Sequence, residues 1–370
     1  MDDSGRKVAQ QDQELAAARD GDEASFRRLV EPHRSELHAH CYRMLGSVHD
    51  AEDALQEALL RAWRGLAKFE GRSSLRSWLY RIATNTCLDA IARRPKRVLP
   101  VEFPPSDPSL GPGEPLVEST WVEPYADDSF GVEDGYAAPE ARYEQREAVE
   151  LAFIAALQHL PANQRAALIL REVLGFSARE AAEALDTSTA SVNSALQRAR
   201  AAVEQRLPEQ SQQATLRALG DDEVRELVEG YMEAWERQDV AAVVSMLTED
   251  AAFTMPPMRS WYRGHEAIRD FLAGQPLSGE WRWRVLRARA NGQVALGYYT
   301  WDPEADAYRR FALNVLTLRG PKISEVNAYL VRESEGADRA TVKRLPDEPD
   351  NPRWVDIAFG RVGLPEQLPA

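Results

Sequence analysis

The sequence is poor in cysteine and histidine and contains no long apolar segment. Among 370 residues there are two cysteines, Cys41 and Cys87, and six histidines. Both cysteines lie within apolar helical patterns, which excludes a disulfide framework and indicates a reducing cytoplasm. No apolar run approaches the roughly 20 residues that span a bilayer, and the N-terminus lacks the basic-then-apolar order of a signal peptide. We therefore predict a cytoplasmic protein without a membrane segment.

The few histidines do not form a metal site by their spacing. His38 and His40 are two residues apart, which places them on different faces of a helix. No Cys-x-x-Cys motif completes a ligand set with His33 and Cys41. We predict no bound metal and no cofactor, and interpret the cluster as ordinary helix-surface histidines.

Lysine and arginine are absent from residues 101–141, which hold seven prolines and ten acidic residues. Such a stretch buries little apolar surface and repels itself, so we predict a flexible linker over residues 99–138. Its aromatic side chains would dock only transiently: Trp121, Tyr125, Phe130 and Tyr136. The acidity leaves two roles open, an inert tether and a DNA mimic that occupies a basic channel.

What the chain does contain is a basic block within an acidic protein. The formal net charge is -14, yet residues 61–97 carry ten Lys/Arg against two acidic residues. Just before this block, residues 50–69 repeat apolar side chains at helical spacing opposite an acidic face. A basic block retained in an acidic protein indicates contact with phosphate, and the acidic face suits a basic partner. The length indicates two or three domains.

Residues 75–93 form a second amphipathic pattern, in which aromatic residues lie among arginines. Trp78 and Tyr80 follow a Gly/Ser loop, and polar residues recur every four positions from Arg81 to Arg93. Rings that stack on unpaired bases, beside cations that hold phosphates, are typical of a single-stranded nucleic-acid site. A buried Trp78 beside solvated arginines explains the same pattern equally well.

The segments DAEDALQEALLRAW and FEGRSSLRSWLYRIATNTCLDAIARR resemble conserved region 2 of sigma-70-family sigma factors, in the extracytoplasmic-function (ECF) group. The resemblance implies an all-α domain over residues 10–98. It implies contacts with the β′ clamp of core RNA polymerase from Asp50, Glu52, Asp53, Gln56 and Glu57. It also implies recognition and melting of the promoter −10 element, with a base captured by the loop from Phe69 to Leu75 and a wedge at Asn85. The implied DNA contacts are Phe69, Arg72, Ser73, Ser74, Arg76, Trp78, Arg81, Asn85, Asp89, Arg93 and Arg94.

Residues 161–207 have the pattern of a helix-turn-helix. Pro161 suits a helix start and Gly175 a stop, Ser177 suits the cap of one short helix, and Thr187 or Ser188 suits the cap of the next. By the same criteria Asp22 suits the cap and Gly46 the end of the helical pattern near the N-terminus. The second helix of such a motif enters the major groove. Its candidate DNA contacts are Thr189, Ser191, Asn193, Ser194, Gln197, Arg198 and Arg200. Placed after region 2 and an acidic linker, the motif resembles sigma region 4, an all-α domain over residues 139–208 that implies −35 recognition and contact with the polymerase β flap. Asn193 and Ala195 depart from the usual pattern, which predicts an unusual or weak −35 contact.

Residues 218–334 read as a third domain of helices followed by strands. Helical patterns at residues 224–235, 240–247 and 264–272 accompany strand-like runs at residues 251–257, 281–288, 294–300, 310–318 and 323–330. Turns at Asn291-Gly292 and Gly320-Pro321 indicate an antiparallel, curved sheet packed on helices. The predicted fold is an α+β cone with a mouth for a small ligand.

The stretch from Leu227 to Leu272 resembles SnoaL-like domains of the nuclear-transport-factor-like superfamily. In its ketosteroid-isomerase-like enzymes the general base precedes a proline, and Met255 stands at that position here. Tyr231 matches the phenolic donor, but a donor without a base cannot abstract a proton. The candidate pocket residues are Tyr231, Met255, Trp261, Trp283 and Tyr299, which are equally suited to a core. The tail over residues 335–370 carries an FGLP-like ending between Phe359 and Pro365, typical of sigma factors with this extra domain.

The predicted protein is a multidomain sigma factor and not an enzyme. It would bind core RNA polymerase and promoter DNA, with activity adjusted by the C-terminal domain, by an anti-sigma factor or by a small ligand. The alternative is a ligand-converting or ligand-sensing SnoaL-like protein fused to a DNA-binding module. A simple helix-turn-helix repressor would leave the acidic face of residues 50–57 unexplained.

Overall fold

A computed structural model describes residues 13–71, 73–93, 96–113, 121–127, 147–330 and 359–370. Internal contacts divide the chain into two units. The first combines residues 1–96 and 156–206, and the second combines residues 97–155 and 207–370. The helix-turn-helix segment therefore belongs to the same unit as the N-terminal helices, whereas its flanking segments belong to the other.

The described residues of the part that resembles sigma regions 2 and 4 are mostly helical. After a short helix at residues 13–19 come α1 (Glu23–Val30), α2 (Arg34–Leu45), α3 (Val48–Gly65) and α4 (Leu75–Ile91), then α5 (Leu151–Gln158), α6 (Ala162–Leu168), α7 (Ala178–Ala184) and α8 (Thr189–Glu204). Helix α6 continues into a π-helical turn, Ile169–Val173.

Local side-chain chemistry explains where these helices begin and end. The Asp22 carboxylate accepts the first free N–H groups of α1, and Gly46 ends α2 in the left-handed conformation at φ 69°. Ser177 and Glu180 form a reciprocal capping box on α7, and the Ser188 hydroxyl caps α8. The predicted caps at Asp22, Gly46, Ser177 and Ser188 are confirmed.

The second unit is an α+β domain. Helix α9 (Gln212–Glu236) is broken at Gly220, where φ is 79°, and is followed by α10 (Val240–Ser245) and α11 (Gly264–Gly274). The strands are β1 (Leu247–Thr254), β2 (Trp261–Arg263), β3 (Trp283–Ala290), β4 (Gln293–Asp302), β5 (Ala307–Arg319), β6 (Lys322–Leu330) and β7 (Gln367–Leu368).

The strands form one seven-stranded sheet in the order β2-β1-β6-β5-β4-β3, with β7 paired to β5. Strand β1 runs parallel to β6, so the prediction of a purely antiparallel sheet is wrong at that pair. The remaining pairs are antiparallel. Helices α9 to α11 pack on one face, around a core that includes Trp235, Phe253 and Tyr298.

Both predicted hairpin turns are confirmed. Ala290 pairs with Gln293, which leaves Asn291 and Gly292 as a two-residue loop with φ of 56° and 67°. These positive values match the type I′ turn that Asn-Gly favours. Arg319 pairs with Lys322 across Gly320 and Pro321, where Gly320 has φ 56°.

The prediction of a flexible linker is wrong for its described parts, residues 99–113 and 121–127. Trp121 is 3% exposed and its indole N–H donates to the Pro257 carbonyl at 3.1 Å. Tyr125 is fully buried, and the next residue, Ala126, forms an isolated antiparallel β-bridge with Ala290 of β3. The aromatic side chains bury enough surface to order an otherwise acidic segment. Phe130 and Tyr136 lie outside the described residues.

The C-terminal residues 359–370 also pack on the sheet. Phe359 is fully buried against Tyr299, with ring centroids 5.7 Å apart, and the Tyr299 hydroxyl donates to the Pro365 carbonyl at 2.8 Å. Strand β7 pairs with Tyr308 and Arg309, at the start of β5 where β6 does not reach. Within the described ranges, no helix is long and apolar enough to cross a bilayer.

Candidate polymerase and promoter surfaces

Helix α3 presents an acidic face opposite its buried one. Ala51, Ala54, Leu55 and Ala58 are each at most 5% exposed and fix the helix against its neighbours. On the other side Asp53 and Gln56 are exposed, and Glu52 and Glu57 are half-buried. Because residues three and four apart are neighbours on a helix, these four side chains form one continuous surface, which we call the acidic face.

Asp50 does not join the acidic face, which corrects its assignment as a surface contact. Its side chain is only 5% exposed and lies in the first turn of α3, where the Ser47 hydroxyl accepts its N–H at 3.1 Å. A carboxylate in the first turn is stabilised by the unpaired N–H groups of the helix start. The position of Asp50 is therefore that of a carboxylate that stabilises the start of α3.

Helix α4 carries the candidate −10 contacts along one exposed ridge. Arg81, Asp89 and Arg93 are exposed, and Asn85 is half-buried between them. Asp89 is held by Arg61, whose guanidinium lies 2.8 Å from both Asp89 and Glu57. The ridge therefore lies beside the acidic face and is linked to it by one arginine.

The loop before α4 is closed by an aromatic pair. Phe69 is 7% exposed and packs against Trp78 with ring centroids 4.8 Å apart. Ser74 caps α4 by accepting the Ser77 N–H at 3.0 Å, and Ser73 is half-buried. In this conformation Phe69 supports the loop and does not face solvent. Arg72 and Arg94 lie outside the described residues.

Arg76 is already held by the protein. Its Nε lies 3.1 Å from the Glu36 carboxylate, and its guanidinium covers the rings of Tyr80 and Phe176 at 4.9 and 5.2 Å. Although burial acts to raise it, the hydrogen bond with His33 and the charge of Arg76 lower the pKa of the Glu36 carboxyl. The Tyr80 hydroxyl donates to the same carboxylate at 3.2 Å, and burial raises its own pKa.

The helix-turn-helix presents an open recognition surface on α8. Val192, Leu196, Ala199 and Val203 are buried, at most 6% exposed, and anchor one side of the helix. Every candidate −35 side chain is exposed on the other side: Thr189, Ser191, Asn193, Ser194, Gln197, Arg198 and Arg200. Arg198 donates to Ser194 at 2.7 Å, and Arg200 pairs with Glu172. Amides, hydroxyls and guanidinium groups on one face are the groups that read base edges.

Three of the five candidate pocket residues face the interior of the cone. Tyr231, Met255 and Trp283 belong to its core. Four buried polar atoms converge there, near one another: the Tyr231 and Tyr298 hydroxyls, the Trp235 Nε1 and the Asn314 Oδ1. Burial raises the pKa of both tyrosines, so both phenols are neutral.

Trp261 and Tyr299 do not line that interior, which corrects their assignment to the pocket. The Trp261 indole N–H donates to the Phe103 carbonyl at 2.8 Å, so its side chain faces the segment before the helix-turn-helix. Tyr299 points to the opposite side of the sheet from Tyr298, towards the C-terminal residues. Alternation along β4 places the two tyrosines on opposite faces.

Sequence reasoning missed two buried polar clusters. Arg165 is 4% exposed and donates to the Met44 carbonyl and to Gln158, joining the start of the helix-turn-helix unit to the α2–α3 turn. Glu150 accepts the Gln212 and Gln213 N–H groups at 3.0 and 2.9 Å, and burial raises its pKa to about 7. Neither cluster has a local motif, because each joins residues far apart in sequence.

Comparison with known families places three models along the chain. The sigma-70 region 2 model matches residues 29–97, the sigma-70 region 4 model matches residues 144–203, and the SnoaL-like domain model matches residues 228–326. The order agrees with the resemblances read from the sequence.

Two curated relatives and a solved structure are similar to this chain over different shares of its length. The chain is 43% identical over 321 residues to the ECF RNA polymerase sigma factor SigG of Mycobacterium tuberculosis, covering 86% of this chain and 83% of the relative. It is 32% identical over 198 residues to SigM of the same organism, covering 53% of this chain and 85% of the relative. The crystal structure of M. tuberculosis SigJ superposes with a TM-score of 0.50 at 25% identity, covering 84% of this chain and 97% of that chain.

Proposed function

This chain belongs to the ECF family of RNA polymerase sigma factors, and from that premise we propose how its surfaces divide the work of initiation. As a member it binds core RNA polymerase and directs promoter-specific transcription, which takes place in the cytoplasm. We assign polymerase docking to the acidic face, −10 recognition and melting to α4 with the loop before it, and −35 recognition to α8.

The exposed acidic face of α3 carries this proposal. Four adjacent side chains, Glu52, Asp53, Gln56 and Glu57, lie on one side of α3, opposite its buried face. Their ion pairs within the protein, such as Glu57 with Arg61, leave the side chains at the surface. Such a surface attracts a basic partner and fixes its register. We propose that the partner is the β′ clamp of core polymerase, with region 4 meeting the β flap.

The ridge on α4 suits melted DNA. Arg81 and Arg93 provide cations for phosphates, and Trp78 provides a ring next to the loop. Aromatic and cationic side chains side by side are the requirement for binding unpaired bases. Asn85, half-buried in the middle of the ridge, is the proposed wedge at the melting point.

For α8 we propose duplex recognition in the major groove. Asn193 and Gln197 suit adenine edges, and Arg198 suits guanine or phosphate. All three side chains are exposed on the helix that follows the turn. The uncharged Asn193 and Ala195 reduce the number of phosphate contacts, so we expect the −35 contribution to be modest.

The SnoaL-like domain is assigned a regulatory role. Membership of the sigma family itself favours a protein that is not an enzyme. Met255 is buried at the position of the base in the related isomerases, and a thioether cannot accept a proton from carbon. Tyr231, the matching phenol, has a pKa raised by burial and no carboxylate beside it.

Charge reversal on the acidic face tests the docking assignment. In Asp53→Lys/Glu57→Lys we expect core polymerase to bind at least about 30-fold more weakly, because charged interface contacts contribute about 2 kcal/mol or more. Biolayer interferometry with purified core and promoter-specific transcription are the measurements.

A matched control is Asp221→Lys/Glu226→Lys, which makes the same charge change on the exposed side of α9. Since Glu57 also pairs with Arg61, a second variant, Asp53→Lys alone, separates docking from the loss of that pair. Core affinity that falls equally in the α9 variant, or in neither, would refute the assignment.

A further inference from the structure

Region 4 is an insertion whose two ends meet at one place in the SnoaL-like domain. The segment that enters region 4, residues 147–151, and the segment that leaves it, residues 211–213, both contact the β3–β4 turn or its neighbours. We call Asn291, Gly292 and Gln293 the anchor turn. Asn291 is fully buried and Gln293 is 1% exposed.

The entering segment is held by side-chain amides of the anchor turn. Asn291 Nδ2 donates to the Val149 carbonyl at 2.7 Å, and Gln293 Oε1 accepts the Leu151 N–H at 2.9 Å. Leu151 is the first residue of α5, whose opening N–H groups have no partner within the helix. Gln293 therefore supplies a cap to region 4 from a distant part of the chain.

The leaving segment is held by the same part of the sheet. Gln213 Nε2 donates to the Gly292 carbonyl. The Gln212 side chain pairs with the Leu318 backbone twice, donating to its carbonyl at 2.9 Å and accepting its N–H at 2.7 Å. Both glutamines are at most 4% exposed. These bonds fix the start of α9 directly after region 4.

The two segments also cap each other. The Glu150 carboxylate accepts the Gln212 and Gln213 N–H groups at 3.0 and 2.9 Å, and the Ser211 hydroxyl donates to Glu147 at 2.7 Å. The segments that enter and leave region 4, residues 147–151 and 211–213, are thus bonded to each other and to the anchor turn. We call these two segments together the base of region 4.

The anchor turn holds a third segment, the chain that leads from region 2. Asn291 exchanges two hydrogen bonds with the Tyr125 backbone, at 2.7 and 2.8 Å. Asp127 accepts the Gly292 N–H at 2.7 Å and pairs with Arg289 at 3.3 Å. The anchor turn therefore contacts three separate stretches of the chain, at residues 125–127, 149–151 and 213.

We propose that the anchor turn is a docking site for the main chain of the protein's own sigma segments, and that it stabilises the base of region 4. Buried polar groups are costly when a partner is removed, because the remaining group can bond neither protein nor water. Without the turn, the Val149 carbonyl, the Leu151 N–H and the Gln213 side chain lose their partners together. The SnoaL-like domain is then a structural support of region 4 as well as a regulator.

Hydrogen exchange in the full-length chain tests this proposal. The variant Asn291→Gly/Gln293→Ala removes both side-chain amides, and glycine keeps the positive φ of the turn. We expect the amides of residues 151–158 to exchange at least tenfold faster, because the variant removes the partners of the Leu151 N–H and the Val149 carbonyl. The control Thr254→Val removes one buried hydrogen bond, to Asn327 at 2.9 Å, elsewhere in the same sheet. Unchanged exchange of residues 151–158, or equal acceleration in the control, would overturn the proposal.

A second measurement separates the anchor-turn proposal from the assignment of α8 to −35 DNA. The proposal itself does not depend on that assignment, but its expected effect on DNA binding does. We expect the double variant to bind −35 duplex less tightly than the Thr254→Val control. Faster exchange with unchanged −35 binding supports the anchor and contradicts the assignment of α8. Weaker −35 binding without faster exchange contradicts the anchor and leaves that assignment standing.

Discussion

The two helices assigned to promoter DNA differ in what lies beneath them and in how much of their surface the protein already uses. Helix α8 rests on four aliphatic side chains and leaves all its candidate contacts exposed. Helix α4 rests on a buried polar network, in which His40 bonds Thr84 at 2.9 Å and Tyr80 bonds Glu36 at 3.2 Å. The candidate −35 side chains of α8 are therefore open to duplex DNA. Some of the candidate −10 side chains of α4 already contact other parts of the protein.

What engages α4 comes from region 4 itself. Phe176 is 3% exposed and meets Tyr80 edge-on, with ring centroids 5.3 Å apart, while the Arg76 guanidinium lies over both rings. An arginine held in this way has fewer donors left for a phosphate. We therefore expect separation of regions 2 and 4 at this contact to free Arg76 for the −10 strand.

Of the variants considered, Phe176→Ala should most strongly reduce the difference between α4 and α8. Removing a buried phenyl ring costs about 3 kcal/mol of packing and frees Arg76 and Tyr80. We expect the first unit to unfold at lower urea concentration, and the free protein to bind a −10 single strand several-fold more tightly. Fluorescence anisotropy with a labelled oligonucleotide measures the binding. Phe176→Leu, which keeps most of the apolar volume, is the control. If both variants or neither bind the single strand more tightly, the Phe176 ring does not restrict Arg76 and Tyr80 of α4.

Arg165→Ala should weaken the same contact from the other side. Its guanidinium donates to the Met44 carbonyl and to Gln158 Oε1, and burial lowers its pKa to about 10. Losing these bonds is partly offset by relief of the buried charge, so we expect a net loss of about 2 kcal/mol in the free energy of unfolding. Urea unfolding followed by hydrogen exchange of α2 and α6 peptides is the measurement.

Arg165→Lys keeps the charge but offers fewer donors, and should lie between the parent and the alanine variant. If alanine and lysine both leave unfolding unchanged, Arg165 does not hold regions 2 and 4 together.

Acid should affect α4 and not α8, because only α4 lies over a buried histidine. Burial lowers the pKa of His40 to about 3 from its usual 6.5. The unfolded chain takes up a proton near pH 6.5 and the folded chain does not, so stability falls as pH drops from about 6.5 towards about 3. Between pH 6.5 and 5.5 His40 accounts for a loss of about 1 kcal/mol in the free energy of unfolding of region 2.

The variant His40→Gln should therefore lose less stability over that interval, by about the same amount. His49→Gln, which makes the same substitution on the exposed side of α3, is the matched control. Identical pH dependence in the parent and in His40→Gln would show that the histidine does not make α4 acid-sensitive.

Sequence reasoning succeeded where local chemistry decides the structure. The caps at Asp22, Ser177 and Ser188 and the Asn291-Gly292 turn depend on residues within four positions of one another. The exposed faces of α3 and α8 also followed from helical spacing alone, because the apolar stripe fixes which side is buried.

Long-range packing could not be read in the same way. Asp50 resembles its acidic neighbours in sequence, but its place in the first helical turn buries it. Trp121 lies 136 positions from the carbonyl that it bonds, in a segment whose composition is typical of disorder. Trp261 and Tyr299 were assigned to the pocket because nothing local shows that distant segments cover them.

The smallest effect on stability should come from a substitution on α8, whose candidate DNA contacts are exposed. Arg198 is exposed on α8 and donates a hydrogen bond to Ser194 in the same helix. Arg198→Ala should leave unfolding unchanged but weaken −35 duplex binding by about 1 kcal/mol, about fivefold, and flatten its salt dependence, because one phosphate or base contact is lost. Arg237→Ala, an exposed arginine on α9, is the control. Because nothing buried depends on Arg198, a change in stability would mean that α8 is engaged by the protein as α4 is, and the contrast between the two helices would be lost.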